Sequence, residues 1–219
     1  MKVLVIGATG QTGQRIATQL DSNHTDMTVK AMVRDRTKAN FPDTVEVVVG
    51  DVLKPDTLKS AMADCDAIIC ATGAAPSFDI TGPYQVDFAG TKNLVDTAKS
   101  MEVKHFVIVS SLCVSKFFHP LNLFWLVLYW KKQAEQYIVN SGLTYTIVRP
   151  GGLKNENNAE AIVMSSADTL FEGSIPREKV AQVCIAALKE PAAENKIVEI
   201  VTNAETKEQP FGELFAGVA

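Results

Sequence analysis

An α/β fold organised around one parallel, doubly wound sheet is what the sequence predicts, and three observations carry that expectation. The chain opens on the apolar, β-branched run Lys2-Val3-Leu4-Val5-Ile6, which stops at Gly7-Ala8-Thr9-Gly10-Gln11-Thr12-Gly13 before helical spacing begins at Ile16, Ala17 and Leu20. Short apolar runs recur at 28–33, 45–49, 67–70, 105–109, 145–148 and 197–201. Most are separated by stretches of helical spacing at 12–20, 55–63, 83–100, 123–141 and 176–189. Alternation of this kind implies parallel strands joined by right-handed crossovers. The length, 219 residues and 23.7 kDa, suits a single domain covering 1–219, with a small substrate-side part around 151–176.

The opening run, the glycine turn and the helix after it read as strand, phosphate-binding loop and helix, the first unit of a Rossmann-like fold. Gly7 permits the tight turn, Gly10 lets backbone approach a pyrophosphate, and Gly13 lets the helix pack closely on the strand. The helix start then aims unpaired N–H groups and the positive end of its dipole at the phosphates. Pro55, Pro83 and Pro176 each stand near a helix start, where proline is tolerated. The stretch 151–173, with Lys154-Asn155-Glu156-Asn157-Asn158, is polar and irregular, so the expectation is a mobile loop over the site. Residues 203–219 offer little pattern.

Composition narrows the function. A net charge of −4 and a pI near 5.4 argue against a nucleic-acid surface or a polybasic membrane anchor. Cys65, Cys70, Cys113 and Cys184 lack metal-ligand spacing and suggest a reduced compartment. The chain starts directly in a strand, without a signal-like segment, so the expected location is the cytoplasm, or the plastid stroma if a transit peptide has been removed. The most apolar stretch, 117–130, is interrupted by His119, Pro120 and Asn122, and its clean run, 123–130, is far too short for the ~20 residues of a spanning helix. It reads either as a buried helix or as a docking surface for a partner or membrane edge.

Candidate site residues stand at strand ends. The second strand closes on Arg34-Asp35-Arg36-Thr37-Lys38; an arginine there accommodates a 2′-phosphate and an acid there binds a ribose hydroxyl. Arg34 favours NADP(H), while Asp35 keeps the NAD alternative open. Asp51 and Val52 offer an acceptor and an apolar neighbour for adenine, or else Asp51 serves a turn. Ala71, Thr72 and Gly73 are small enough for backbone to run beside a sugar. Ser110 and Ser111 end a central strand at the crevice where ligands bind such sheets. Lys131 lies on a helix, four residues before Glu135 in the weaker polarity for a helical ion pair. Pro150, Gly151, Gly152 and Leu153 form a bend suited to walling a nicotinamide ring.

These pieces in this order, GATGQTG, VRDR, GDV, ATG, VSS, WKKQAE and SGLTYTIVRPGGL, resemble the atypical short-chain dehydrogenase/reductases of the NmrA-like, NAD(P)H-binding kind. The first half is similar to the biliverdin-IXβ (flavin) reductases. The second is similar to the NADP-binding modules of the chloroplast import translocon's redox subunit. The resemblance implies that Gly7, Thr9, Gly10, Gln11, Thr12 and Gly13 hold the diphosphate and that Arg34 meets the 2′-phosphate. Asp51 and Val52 then meet adenine, Ala71, Thr72 and Gly73 the ribose side, and Pro150 to Leu153 the nicotinamide side, with Ser110 also among the cofactor contacts and Ser111 and Lys131 on the catalytic positions. One departure matters: the family's Tyr-x-x-x-Lys has Val127 in place of tyrosine, and Tyr129 is two residues out of register. A two-residue shift turns a side chain to nearly the opposite helix face, which disfavours alcohol oxidation. The implied activity is hydride transfer from NADPH to a planar conjugated acceptor, a flavin, quinone or bilin such as biliverdin. The alternative is an NADP(H)-binding redox sensor or assembly factor with little turnover.

Overall fold

Eight strands form the main sheet of the computed structural model, which describes residues 1–23, 26–74 and 79–219. In chain order they are β1 (Lys2–Ile6), β2 (Thr28–Val33), β3 (Glu46–Val49), β4 (Ala67–Cys70), β5 (His105–Val109), β6 (Tyr145–Pro150), β8 (Ala161–Ser166) and β10 (Lys196–Asn203). A separate two-stranded parallel ribbon pairs β7 (Gly152–Lys154) with β9 (Ser174–Pro176). The main sheet runs β3-β2-β1-β4-β5-β6-β10-β8, parallel throughout except for β8, which is antiparallel to β10. The order reverses between β1 and β4, the switch point at which such sheets open a crevice beyond their carboxyl ends. This is a single Rossmann-like α/β domain.

The β1 sequence shows how the layers are made. Val3 and Val5 face one side and Leu4 and Ile6 the other, and all four are fully buried. On the first face the core takes in Ile16 and Leu20 of α1 (Gln11–Asn23) and Val180 and Cys184 of α5 (Arg177–Ala187). On the second it takes in Leu58 of α2 (Pro55–Met62), Leu94 of α3 (Thr91–Ser100) and Ile138 of α4 (Val127–Val139).

Three expectations need correction, and the tail left unassigned gains a helix. The stretch 151–173 is not an irregular loop, since it contains β7 and β8 and is bound into both sheets. The helix expected over 83–100 begins as a π-helix, Pro83–Gly90, before α3. The helix expected from 123 starts only at Val127, because Trp125 and Leu126 take φ values of 57° and 59° and break it. Asn122 caps α4 from outside, its Oδ1 accepting from Leu128 N (2.9 Å) and Tyr129 N (3.2 Å). The patternless tail, finally, holds α6 (Phe211–Ala216), fastened by Lys196 Nζ donating to the carbonyls of Phe215 (2.9 Å) and Val218. No helix is long and apolar enough to cross a membrane among the described residues.

Candidate active site

At the switch point Gly7 adopts φ +79°, and a Cβ there would stand 2.8 Å from Ala71 O. The end of β4 therefore lies directly against the glycine turn. Gly10 N donates to Gly7 O at 2.9 Å, and a Cβ on Gly13 would come within 2.2 Å of that same oxygen. Only a helix without a side chain at 13 seats this closely. Thr12 is buried, while Thr9, Gly10 and Gln11 are exposed at the helix start, whose first turn carries no acid. The resulting loop floors a cleft of about 360 Å3 that also takes in Arg34, Asp51, Val52, Ala71, Thr72 and Gly73. The cradle without Cβ atoms, the uncompensated helix start and the cation at the far end fit a dinucleotide phosphate. A larger cavity, about 460 Å3 between α1, α5 and the C-terminal segment, contains none of the expected site residues.

Asp35 Oδ1 accepts from Thr37 N (3.0 Å) and Thr37 Oγ1 (2.7 Å), capping the short turn Arg36–Lys38; these bonds hold its carboxyl below the usual range. Arg34 lines the cleft. Asp51 Oδ1 accepts from Leu53 N at 3.0 Å, so it serves a turn while also lining the cleft. Val52 packs on Gly90 of the π-helix, where a Cβ would meet Val52 Cγ2 at 2.7 Å.

Beside Thr72, which also lines the cleft, lies a small pocket bounded by Asp87, Ser110, Lys131 and Glu135. Lys131 does not pair with Glu135 along the helix. Its Nζ lies 2.8 Å from Asp87 Oδ1, and Ala74 N donates to Asp87 Oδ2 at 3.2 Å. Burial acts to lower the lysine's pKa, but the adjacent Asp87 charge and contact outweigh it and hold the ammonium above its ordinary value. Glu135 is instead clamped by Arg149, through Nε to Oε1 at 3.0 Å and Nη2 to Oε2 at 2.7 Å. Arg149 Nη1 reaches Asp168 Oδ1 at 2.8 Å and Glu199 Oε1 at 3.1 Å. Glu199 also accepts the backbone N–H groups of Asp168, Thr169 and Leu170, pinning the turn after β8. Arg149 is fully buried; burial would lower its pKa, but Glu135, Asp168 and Glu199 raise it.

Ser110, not Ser111, joins this network: its hydroxyl donates to Glu135 Oε1 at 2.6 Å. Ser111 is half-buried one residue further on and lines neither cavity. Pro150 accepts from Leu112 N at 3.0 Å, behind the serines. Gly151 fits against Gly173 and Val201, where a Cβ would meet Gly173 O at 2.7 Å; Gly152 and Leu153 are exposed in β7. None of the residues 150–153 lines the 360 Å3 cleft. Val127, at the tyrosine position, packs among Leu112, Val114 and Leu128, and Tyr129 does not replace it, stacking edge-on with Phe117 (6.2 Å) and Trp130 (5.0 Å).

Asp87, Arg149, Asp168 and Glu199 were absent from the sequence expectations. Two of them did leave a signal, in Ile147-Val148-Arg149-Pro150 and Val198-Glu199-Ile200, where one charge interrupts an apolar strand. Arg149 and Glu199 are register partners across β6 and β10.

The fold and cleft define a dinucleotide-binding domain. Residues 7–191 match the NAD(P)H-binding family, and the chain belongs to it. An uncharacterised chloroplast protein of Arabidopsis thaliana is 47% identical, over 99% of this chain and 82% of its own length. The sanguinarine reductase of Eschscholzia californica is 32% identical, over 94% of this chain and 90% of its own. The chloroplast protein TIC 62 of Pisum sativum is 36% identical over 99% of this chain, which spans only 46% of that relative. Among solved structures, a protein from Bacillus halodurans provisionally named an NAD-dependent epimerase/dehydratase superposes with a TM-score of 0.85 at 27% identity, covering 99% of both chains. The family is of oxidoreductase type, with reductases among its members.

Proposed function

We propose that this protein is an NADPH-dependent reductase that passes hydride to a planar conjugated acceptor, a flavin, quinone or bilin. The observation that carries the reading is an intact dinucleotide cradle combined with a lysine whose neighbour is a carboxylate and not a phenol. Gly7, Thr9, Gly10, Gln11, Thr12 and Gly13 hold the diphosphate, and Arg34, with Asp35 occupied by its turn, selects the 2′-phosphate. Asp51 and Val52 border the adenine; Ala71, Thr72, Gly73 and Ser110 border the ribose. Pro150, Gly151, Gly152 and Leu153 back the nicotinamide side, with Ser111 on the acceptor side. When bound, the cofactor supplies the hydride. The chain's own share is to orient the ring, exclude water and keep a cation at Lys131, with the acceptor protonated from solvent. The part around 151–176 covers the acceptor. The chloroplast relatives favour the plastid stroma over the cytoplasm.

The test is NADPH oxidation by the purified protein against flavins, quinones and biliverdin isomers, with cofactor binding followed by calorimetry. Acceptor-dependent oxidation supports the reductase; tight NADPH binding without oxidation replaces it with the sensor. One feature favours that second reading: Phe118 and Leu123 are 96% and 82% exposed, beside the exposed Phe117 and Phe124, a surface suited to docking on a partner or membrane edge.

A further inference from the structure

We infer that Asp87 is a positioning residue of this site, fixing the Lys131 ammonium beneath Gly73 as a permanent cation that donates to the cofactor's ribose and takes no part in proton relay. The inference rests on the cofactor site proposed above. Neither partner can leave the other cheaply: the Asp87 side chain is 1% exposed, and its Oδ1 has no well-aligned hydrogen bond, only the Lys131 ion pair. The opening toward the cleft is Gly73. A Cβ there would stand 3.6 Å from Asp87 Oδ1 and 3.8 Å from Lys131 Nζ, so the missing side chain leaves both atoms within reach of a ligand in the cleft.

The backbone around Asp87 is built for placement. Pro83–Gly90 winds as a π-helix, a rare conformation that occurs frequently at functional sites. Its end is pressed against Val52 at Gly90, so one short segment spans the adenine border and the lysine. The titratable groups facing Lys131 are Asp87 from this segment, Cys70 from β4 and Glu135 from its own helix, beside the uncharged Ser110 hydroxyl. Glu135 is already committed to Arg149. Asp87 is therefore the group that offsets the burial of the lysine, and without it the ammonium is the costly form. A lysine held charged has three donors and no acceptor capacity, so it can grip hydroxyls but cannot serve as a base.

The test is NADPH affinity between about pH 6 and 10, measured by calorimetry without any acceptor. Wild-type affinity should change little through Lys131. Asp87→Asn should weaken binding about tenfold near neutrality and progressively more toward the alkaline end, as its lysine loses the proton. Lys131→Met should lose affinity without that added alkaline loss, and the double variant should be no worse than Lys131→Met alone. Asp87→Asn behaving like wild type at every pH, or additive losses in the double variant, overturns the inference while leaving the reductase reading intact. Wild-type protein that binds no NADP(H) overturns both. If Asp87→Asn does not fold, the wild type still decides the matter through NMR of isotopically labelled lysine, with the signal identified by Lys131→Arg. Lys131 should stay protonated beyond the ordinary lysine value of ~10.4 and shift on addition of NADP+; a signal that titrates with the surface lysines and ignores NADP+ overturns the inference.

Discussion

On the β1–β2–β3 side, the crevice is shaped by backbone and by what glycines lack; on the β5–β6–β10 side, it is backed by charged side chains buried among apolar strands. The first side tolerates almost no added atom at Gly7 or Gly13, yet its cation, Arg34, is exposed at the surface. The second side sets Arg149, Glu135 and Glu199, all nearly or fully buried, into one connected network. A charge on the rim can be changed at little cost to the fold, whereas a buried charge and its partners stand or fall together.

The largest expected effect breaks that network. Arg149→Met leaves Glu135 and Glu199 buried without their shared counter-charge and should cost about 3–5 kcal/mol. Urea unfolding checks this, with Arg34→Met expected to stay within about 0.5 kcal/mol as the surface counterpart. Adding Glu135→Gln and Glu199→Gln to Arg149→Met should recover part of the loss, because the neutral amides need no counter-ion. Equal losses for Arg34→Met and Arg149→Met would erase the contrast between the two sides.

Gly13→Ala tests the backbone side. Its Cβ would stand 2.2 Å from Gly7 O, so helix and loop must separate. The expected result is a loss of NADPH affinity of about a hundredfold, with a smaller loss of stability than Arg149→Met. Calorimetry and unfolding together separate the two, and unaltered affinity would mean that the close seat of α1 is not what shapes the phosphate loop.

The same division explains what could be read from the sequence. The glycine turn and the strand ends at Arg34, Asp51 and Thr72 depend on chemistry within a few residues, and they converge on one cleft. The parallel strands announced themselves as apolar runs because both sheet faces are covered. β7 and β9, at three residues each, are too short to show any period, and β8 is an edge strand ending in two serines inside a polar stretch. The start of α4 was hidden because Trp125 and Leu126 adopt positive φ without the glycine or asparagine that usually marks it. Pairing Lys131 with Asp87, and Arg149 with Glu199, requires knowing which helix and which strand lie alongside, and no local pattern states that.

Arg34→Ala comes next in size and acts on specificity alone. It should weaken NADPH about tenfold or more and leave NADH almost unchanged, since Asp35 is held by Thr37. Equal losses for both cofactors would remove Arg34 from 2′-phosphate recognition and with it the preference for NADP(H).

The smallest effect sharpens the comparison from within the second side, where burial is met in two ways. Arg149 keeps its charge because carboxylates surround it; His105, at the start of β5, stays neutral because burial outweighs the pull of Glu194 and lowers its pKa. Thr146 Oγ1 donates to Ala193 O at 2.7 Å, so toward His105 it acts as the acceptor, and the ring's proton sits on Nε2, 2.9 Å away. As pH falls below the unfolded value of ~6.5, the unfolded chain takes up the proton first. The stability due to neutral His105 is therefore present above that pH and is lost as pH drops toward the folded value. His105→Gln keeps an N–H donor for Thr146 and removes the titration. Its urea midpoint should fall less steeply than the wild type's between about pH 7 and 5. Parallel slopes would mean that His105 takes its proton equally well in both states, and that burial at the amino-terminal end of β5 exacts no charge penalty of the kind Arg149 and its partners had to balance.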